Sequence, residues 1–220
     1  MIDIVFEDKH LILAVKPVGL SSQDGADSLP AQLAEQGLPV KTVHRLDKQT
    51  GGVMVYARTG QAAAALCALV GQHEVFVKDY LAVVQGTPTP AEGTLEDLLY
   101  HDVRKNKSYI VTRSRKGVRE ASLSYRVLST KDTPEGVYSL VRVRLHTGRT
   151  HQIRVQFAGR KMPLWGDSRY GGNRQAGPAL WSVRLTFPHP ITGETVCGES
   201  TPDWTAAPWS YFAVNGSQPQ

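Results

Sequence analysis

Short apolar runs of two periods, cut at close intervals by turn residues, limit what this chain can fold into more than any other feature. Ile2, Ile4 and Phe6 alternate with polar neighbours, and Leu11–Val15 is a buried-looking run that stops at Lys16-Pro17. Val53–Ala57, Glu74–Val84, Lys107–Thr112, Ala121–Leu128, Tyr138–Leu145 and Trp181–Phe187 continue the strand signal. Helical spacing is confined to three places. Leu29–Gln36 stops at Gly37, Gln61–Val70 lies between a Thr59 cap and Gly71, and Thr150–Ala158 sets Ile153, Phe157 and Ala158 on one side. These elements never alternate as regular βαβ units. The pattern predicts an α+β fold with a large mixed, mostly antiparallel sheet flanked by helices and loops. A chain of 220 residues is long enough to bury a substantial core. Thr87-Pro-Thr-Pro90 reads as a loop within one domain, expected over residues 1–212, with 213–220 as a flexible C-terminal tail.

Composition removes several function classes. No apolar run approaches the roughly 18–20 residues that span a bilayer. The opening Met-Ile-Asp-Ile-Val-Phe-Glu-Asp has no basic segment followed by a long apolar core, so no secretory signal is expected. Cys67 and Cys197 stand apart from each other and from any CxxC pattern, against a disulfide scaffold or a structural zinc. A cytoplasmic protein without metal or membrane partner is expected, with a monomer as the default state.

Charge is more informative by region than in sum. The formal balance is +5, from 25 Lys and Arg against 20 Asp and Glu. Residues 1–103 carry 7 basic and 13 acidic side chains, residues 104–174 carry 17 and 4, and residues 175–220 carry 1 and 3. A stretch at +13 between acidic flanks is the footprint of a polyanion partner, although a solvated basic face has the same composition. Lys105, Lys107, Arg113, Arg115 and Lys116 cluster there on what reads as an exposed hairpin arm.

Four segments could do chemistry. His44-Arg45-Leu46-Asp47 precedes Thr50-Gly51-Gly52 at a loop-to-strand junction, where a double glycine lets backbone turn sharply and approach another group closely. Asp47 there could serve as nucleophile or general base, or merely cap a turn beside a surface arginine. In Thr147-Gly-Arg149-Thr150-His151-Gln-Ile153-Arg154, two arginines flank a predicted helix start capped by Thr150. Cations oppose the dipole at that end, which suits an anionic partner. His146 and His151 invite a metal, but no acidic or thiol group completes a ligand set nearby. Tyr80 lies in a strand-like run, and Trp165 and Tyr170 lie in a Gly-rich loop, Met162–Gly172, where they could stack on bases or simply pack.

In this order the strings HRLDKQTGG, KDYLAVVQG, TGRTHQIR and GDSRYG resemble the RluA family of RNA pseudouridine synthases. The likeness runs from Phe6 through Val15-Lys-Pro-Val-Gly19 to Leu185–Gly193 and Pro202. It implies the pseudouridine synthase fold and a reaction without metal or cofactor. The uridine glycosidic bond is cleaved, the base turns, and the ribose is rejoined at carbon 5. It implies Asp47 as the catalytic aspartate, Tyr80 as the active-site tyrosine, and Arg154 as the arginine pairing with that aspartate. Arg45 would enter the RNA stack as the uridine flips out, and Ile153 would form an apolar wall. His44 and Arg149 would contact substrate, and the arm cations would hold the phosphates of an rRNA or tRNA stem-loop without reading sequence.

Three departures from the family pattern stand out. Gly51 replaces a common serine, Ser21-Ser22-Gln23 replaces a His- or Pro-containing continuation, and Trp181-Ser182 replaces His-Ala. No S4 RNA-binding domain is expected ahead of the motifs. A non-catalytic RNA-binding module on the same fold would be expected to lack Asp47, Tyr80 or Arg154, and all three are present. A metal-dependent phosphoesterase would need acidic ligands that the motifs do not supply.

Overall fold

A computed structural model describes residues 1–172 and 177–213. The described chain divides into two compact units. Met1–Asp79 and Trp181–Pro202 form the first, and Tyr80–Leu180 with the chain from Asp203 form the second. Residues 214–220 of the expected tail lie outside the described residues.

The first unit is built around β4 (Gly51–Ala57), every residue of which is buried. β2 (Leu11–Lys16) pairs antiparallel along its whole length, Leu11 opposite Ala57 and Lys16 opposite Gly52. β1 (Ile4–Glu7) pairs β2 antiparallel, with an irregularity between Ile4 and Phe6. The short β3 (Lys41–Thr42) also pairs β4 antiparallel. On the other side β10 (Leu180–Pro188) runs parallel to β4, bringing Trp181 opposite Gly51 and Ser182 opposite Gly52. β11 (Thr195–Glu199), absent from the sequence expectation, closes a hairpin on β10. The continuous apolar character of β2 and β4 follows from burial on both faces.

Two helices flank these strands, each begun by a hydroxyl cap, of which the sequence points only to Thr59. α1 (Leu29–Glu35) has the Ser28 hydroxyl accepting from the Ala31 N–H at 3.2 Å, with Pro30 in its first turn. α2 (Gly60–Val70) has Thr59 accepting from the Ala62 N–H at 3.2 Å. Ala62 and Leu66 of α2 enter a core with Leu11, Leu13, Val53, Val55, Phe76, Leu185 and Phe187.

The second unit holds β5 (Val77–Gln85) from Tyr80 onward and a four-stranded antiparallel array. In that array β9 (Gly136–Leu145) pairs β8 (Val118–Thr133), β8 pairs β6 (Glu92–Asp102), and β6 pairs β7 (Lys107–Val111). β6 was not expected. It alternates only loosely, because most of its side chains are half-buried or exposed. α3 (Gln152–Gly159) buries every residue from Gln152 to Phe157, so the predicted one-sided stripe is too narrow. Its cap is His151, not Thr150, in the left-handed region at φ 55°. The Gln152 side chain accepts from the Thr147 hydroxyl at 2.7 Å and the Arg149 N–H at 3.0 Å, which pins the turn before the helix. A 3-10 turn, Trp209–Phe212, buries Trp209 and Phe212. Of the strand pairings named above, all are antiparallel except β4 with β10, so the α+β, mostly antiparallel class holds.

Candidate active site

The predicted site residues divide between the units. His44, Arg45 and Asp47 belong to the first, and Tyr80, Arg149, Ile153, Arg154 and the arm cations belong to the second.

In the first unit the chain between β3 and β4 passes Arg45, exposed, then Leu46, buried, then Asp47, half-buried. Leu46 fixes the register of its neighbours. The Ser22 hydroxyl accepts from the Leu46 N–H at 3.1 Å and donates to the Leu46 carbonyl at 2.8 Å. The Ser22 carbonyl in turn accepts from the Tyr56 hydroxyl at 2.9 Å. One small hydroxyl thus satisfies both polar groups of a buried residue. Ser22 went unassigned in the sequence because it lies in a polar loop remote from the motif.

Lys16 is the second residue that the motifs did not reveal as functional. It is fully buried, and its ammonium donates to the carbonyls of Pro17 at 2.8 Å, Leu20 at 2.8 Å and Lys48 at 3.1 Å. The Lys48 carbonyl also takes the Gly19 N–H at 2.8 Å, and the Thr50 N–H closes a turn on the Asp47 carbonyl at 2.9 Å. Burial brings the Lys16 amine down to about 8; the Asp47 carboxylate opposes that fall and the Lys48 charge adds to it. The chain on either side of Asp47 is therefore tied at Leu46, Lys48 and Thr50.

His44 faces inward. Its Nε2 accepts the Val55 N–H of β4 at 3.1 Å, so the ring proton sits on Nδ1. The ring meets Phe76 edge-on at 5.8 Å between centroids. Burial, with the Lys78 charge adding to it, drives the imidazole down to about 3. His44 is therefore neutral at physiological pH and spends one nitrogen on β4, holding the Arg45–Asp47 segment against the sheet.

The glycines behave as their spacing predicted. Gly52 takes φ 115°, and a Cβ there would strike the Ser182 backbone of β10. At Gly51 a Cβ would fall inside the ring of Trp181, whose indole N–H donates to the Ser200 hydroxyl at 3.1 Å. Two departures from the family pattern are thus one packing solution: the bulk taken from position 51 is supplied from position 181.

In the second unit Tyr80 and Ile153 are buried. The Arg149 side chain is exposed, its Nε donating to the Glu120 carbonyl at 2.9 Å. Arg154 is buried and forked onto Asp167, Nε to Oδ2 at 2.7 Å and Nη2 to Oδ1 at 2.9 Å. Such bidentate geometry fixes the guanidinium plane, and each buried charge is compensated. Asp167 was invisible as a partner because its motif reads as a turn-rich loop. Trp165 packs into the interior with its N–H on Glu135 at 2.8 Å. The half-buried Tyr170 ring lies beside Lys107 and Arg154, 5.3 and 5.2 Å from its centroid.

The cations of the arm are exposed apart from Lys107, which is half-buried. Lys105 lies in the turn between β6 and β7, Lys107 opens β7, and Arg113, Arg115 and Lys116 are exposed on the loop leading to β8. The Arg115 guanidinium lies 5.0 Å from the Tyr100 ring centroid, which pre-orients it. Among the described residues no group of three or more His, Cys, Asp or Glu side chains is arranged to hold a metal ion, and no helix is long and apolar enough to cross a membrane.

The sequence pattern of RNA pseudouridylate synthases matches residues 10–159. The RNA pseudouridine synthase YhcT of Bacillus subtilis is 31% identical over 90% of this chain and 68% of its own length. Ribosomal large subunit pseudouridine synthase D of Zymomonas mobilis is 32% identical over 89% of this chain and 67% of its own. tRNA pseudouridine synthase C of Yersinia pestis is 30% identical over all of this chain and 94% of its own. The chain therefore spans about two thirds of the first two relatives and nearly all of the third. The solved structure of human RNA pseudouridylate synthase domain containing 1 superposes with a TM-score of 0.80 over 95% of this chain and 86% of its own, at 22% identity, which speaks for the fold. With its motifs, its fold and two thirds of its length matched, the chain belongs to the RluA family of RNA pseudouridine synthases.

Proposed function

We propose that this enzyme isomerises a uridine in a structured rRNA or tRNA stem-loop, acting as a monomer in the cytoplasm without metal or cofactor. The bond between uracil N1 and ribose C1′ breaks, the base turns, and C5 bonds to C1′. The hydrogen displaced from C5 leaves as a proton and N1 gains one, so no oxidant or reductant is consumed. Asp47 starts the reaction, at the ribose or at the base. Arg45, exposed beside it, fills the gap in the stack when the uridine flips out, offsetting part of a cost of a few kcal/mol. Tyr80 is the platform for the flipped base, Ile153 an apolar wall, and Arg154 the guanidinium that the family pairs with the aspartate. Lys105, Lys107, Arg113, Arg115 and Lys116 grip phosphates, with Arg149 as a further contact.

The observation that carries this reading is the Arg45–Asp47 segment. Its central residue is locked by Ser22 and its flanks by Lys16 and His44, while the Arg45 side chain is left exposed. A segment so restrained suits a nucleophile whose position must be set before substrate arrives. Asp47→Asn is expected to abolish pseudouridine formation on an RNA transcript while RNA affinity survives. Equal turnover by the two proteins would refute the assignment.

A further inference from the structure

The Gly166–Gly171 loop has no part in the reading above beyond Asp167, yet its side chains reach two places. Asp167 holds Arg154. Arg169 reaches the arm instead, its Nη1 donating to the carbonyls of Lys105 at 3.0 Å and Asn106 at 3.1 Å in the turn between β6 and β7. Asn106 sits there at φ 45°, a conformation that exposes carbonyls and gains from an outside donor.

Tyr170 touches both. Its hydroxyl accepts the Ser108 N–H of β7 at 2.7 Å and shares a hydrogen bond with His151 Nδ1, 3.0 Å away at the start of α3. Ser108 repeats the link through its side chain, which donates to the Thr150 carbonyl at 2.6 Å. The Tyr170 ring meets the Lys107 ammonium of the arm and the Arg154 guanidinium at nearly equal distances. Two cations thus share one aromatic quadrupole, and each weakens the other's hold on it.

We propose that this loop couples RNA grip to the seating of Arg154, with Tyr170 and Arg169 as positioning residues. A phosphate at Lys107 neutralises that ammonium and draws it from the ring, because an anion is a stronger partner than a π-face. The ring then serves Arg154 alone, and the guanidinium settles against Tyr170 and Asp167. Arg169 keeps the turn in place so that the displacement of Lys107 is felt at the ring. The proposal rests on reading Lys107 as a phosphate contact and Arg154 as an active-site arginine.

The test is a double-mutant cycle read in single turnover, with tritium release from C5-labelled uridine in an RNA transcript that the wild type modifies, alongside direct binding. Rates are read at saturation on the full transcript and on a shortened one that presents the uridine without the phosphates the arm would hold. The wild type is expected to turn over the shortened RNA about fivefold more slowly. Lys107→Ala, which frees the ring as a phosphate would, should weaken binding of the full transcript yet bring the rate on the shortened RNA to within about twofold of the full-transcript rate. In a Tyr170→Leu background the same change should still weaken binding but shift neither rate by more than about twofold. An unchanged rate on the shortened RNA from Lys107→Ala alone, or an equal gain in both backgrounds, overturns the coupling. Should Tyr170→Leu fail to fold, Arg169→Ala, which leaves the ring intact, is the second background with the same expectation. If Lys107→Ala leaves binding unchanged, the phosphate reading fails and the proposal falls with it; if binding weakens while the rate on the shortened RNA stays at the wild-type value, the proposal alone fails.

Discussion

Replacing Gly51 with serine tests whether positions 51 and 181 form one packing unit. The new Cβ would collide with three carbons of the Trp181 ring, and Gly51 is wholly buried, so the ring must move. Overpacking of this kind costs roughly 1–3 kcal/mol. Displacing the ring also breaks the indole hydrogen bond to Ser200, about 1 kcal/mol more. Gly51→Ser should therefore destabilise the protein by about 2–4 kcal/mol and lower its melting temperature by on the order of 10 °C. Catalysis should suffer too, because Thr50, which closes the turn on the Asp47 carbonyl, is the residue before Gly51. A displacement of a fraction of an ångström at Asp47 is worth at least tenfold in rate, roughly. Trp181→His supplies a smaller ring, and the double variant Gly51→Ser with Trp181→His should recover most of both losses. Urea denaturation and single-turnover rates of the four proteins give the coupling directly. Strictly additive effects would refute the argument, as would a Gly51→Ser protein within about 0.5 kcal/mol of wild type.

Two further outcomes follow from the site. His44 holds its neutral form down to about 3 in the folded protein, against an ordinary value of 6.5. The unfolded chain therefore binds the extra proton first, and this contribution to stability, fully present above 6.5, is lost as the pH falls from there towards 3. Urea midpoints at pH 7, 6 and 5 should fall less steeply for His44→Gln than for wild type, and parallel lines would dismiss the buried neutral imidazole. For the arm, charge reversal at Lys107 and Arg115 should weaken RNA binding and flatten the slope of log affinity against log salt, by about one for each phosphate no longer neutralised. An unchanged slope from filter-binding titrations would show that these cations do not touch phosphate.

Each unit shows where sequence reasoning reaches and where it stops. A cap that acts on the next three residues was legible: Thr59 bonds the Ala62 N–H at the start of α2, whereas the Ser28 cap of α1 was not picked out. The α3 cap was misplaced because Thr150 gives its carbonyl to Ser108, on β7 far upstream, while Gln152 reaches back to Thr147 and Arg149. β6 was missed because β-sheet partners, not its own periodicity, hold it. Its register with β7 and β8 satisfies a backbone whose side chains are largely wet.

The same division applies to the chemistry. The HRLD, TGRTHQIR and GDSRYG strings were enough to name the family and to single out Arg45, Asp47 and Arg154, because residue type and local spacing are properties of the chain itself. The partners of those residues are not. That Ser22 locks Leu46, that Lys16 binds three carbonyls, that His44 is spent on β4, and that Asp167 forks onto Arg154 all depend on segments brought together by folding. Gly51 and Trp181 show the difference most plainly. As letters they are two unrelated departures from a pattern, but β4 and β10 lie side by side in parallel, so a volume removed from one strand is filled by the other. Local sequence fixes what each residue is able to do, and close packing across strands distant in the chain decides which of those abilities it exercises.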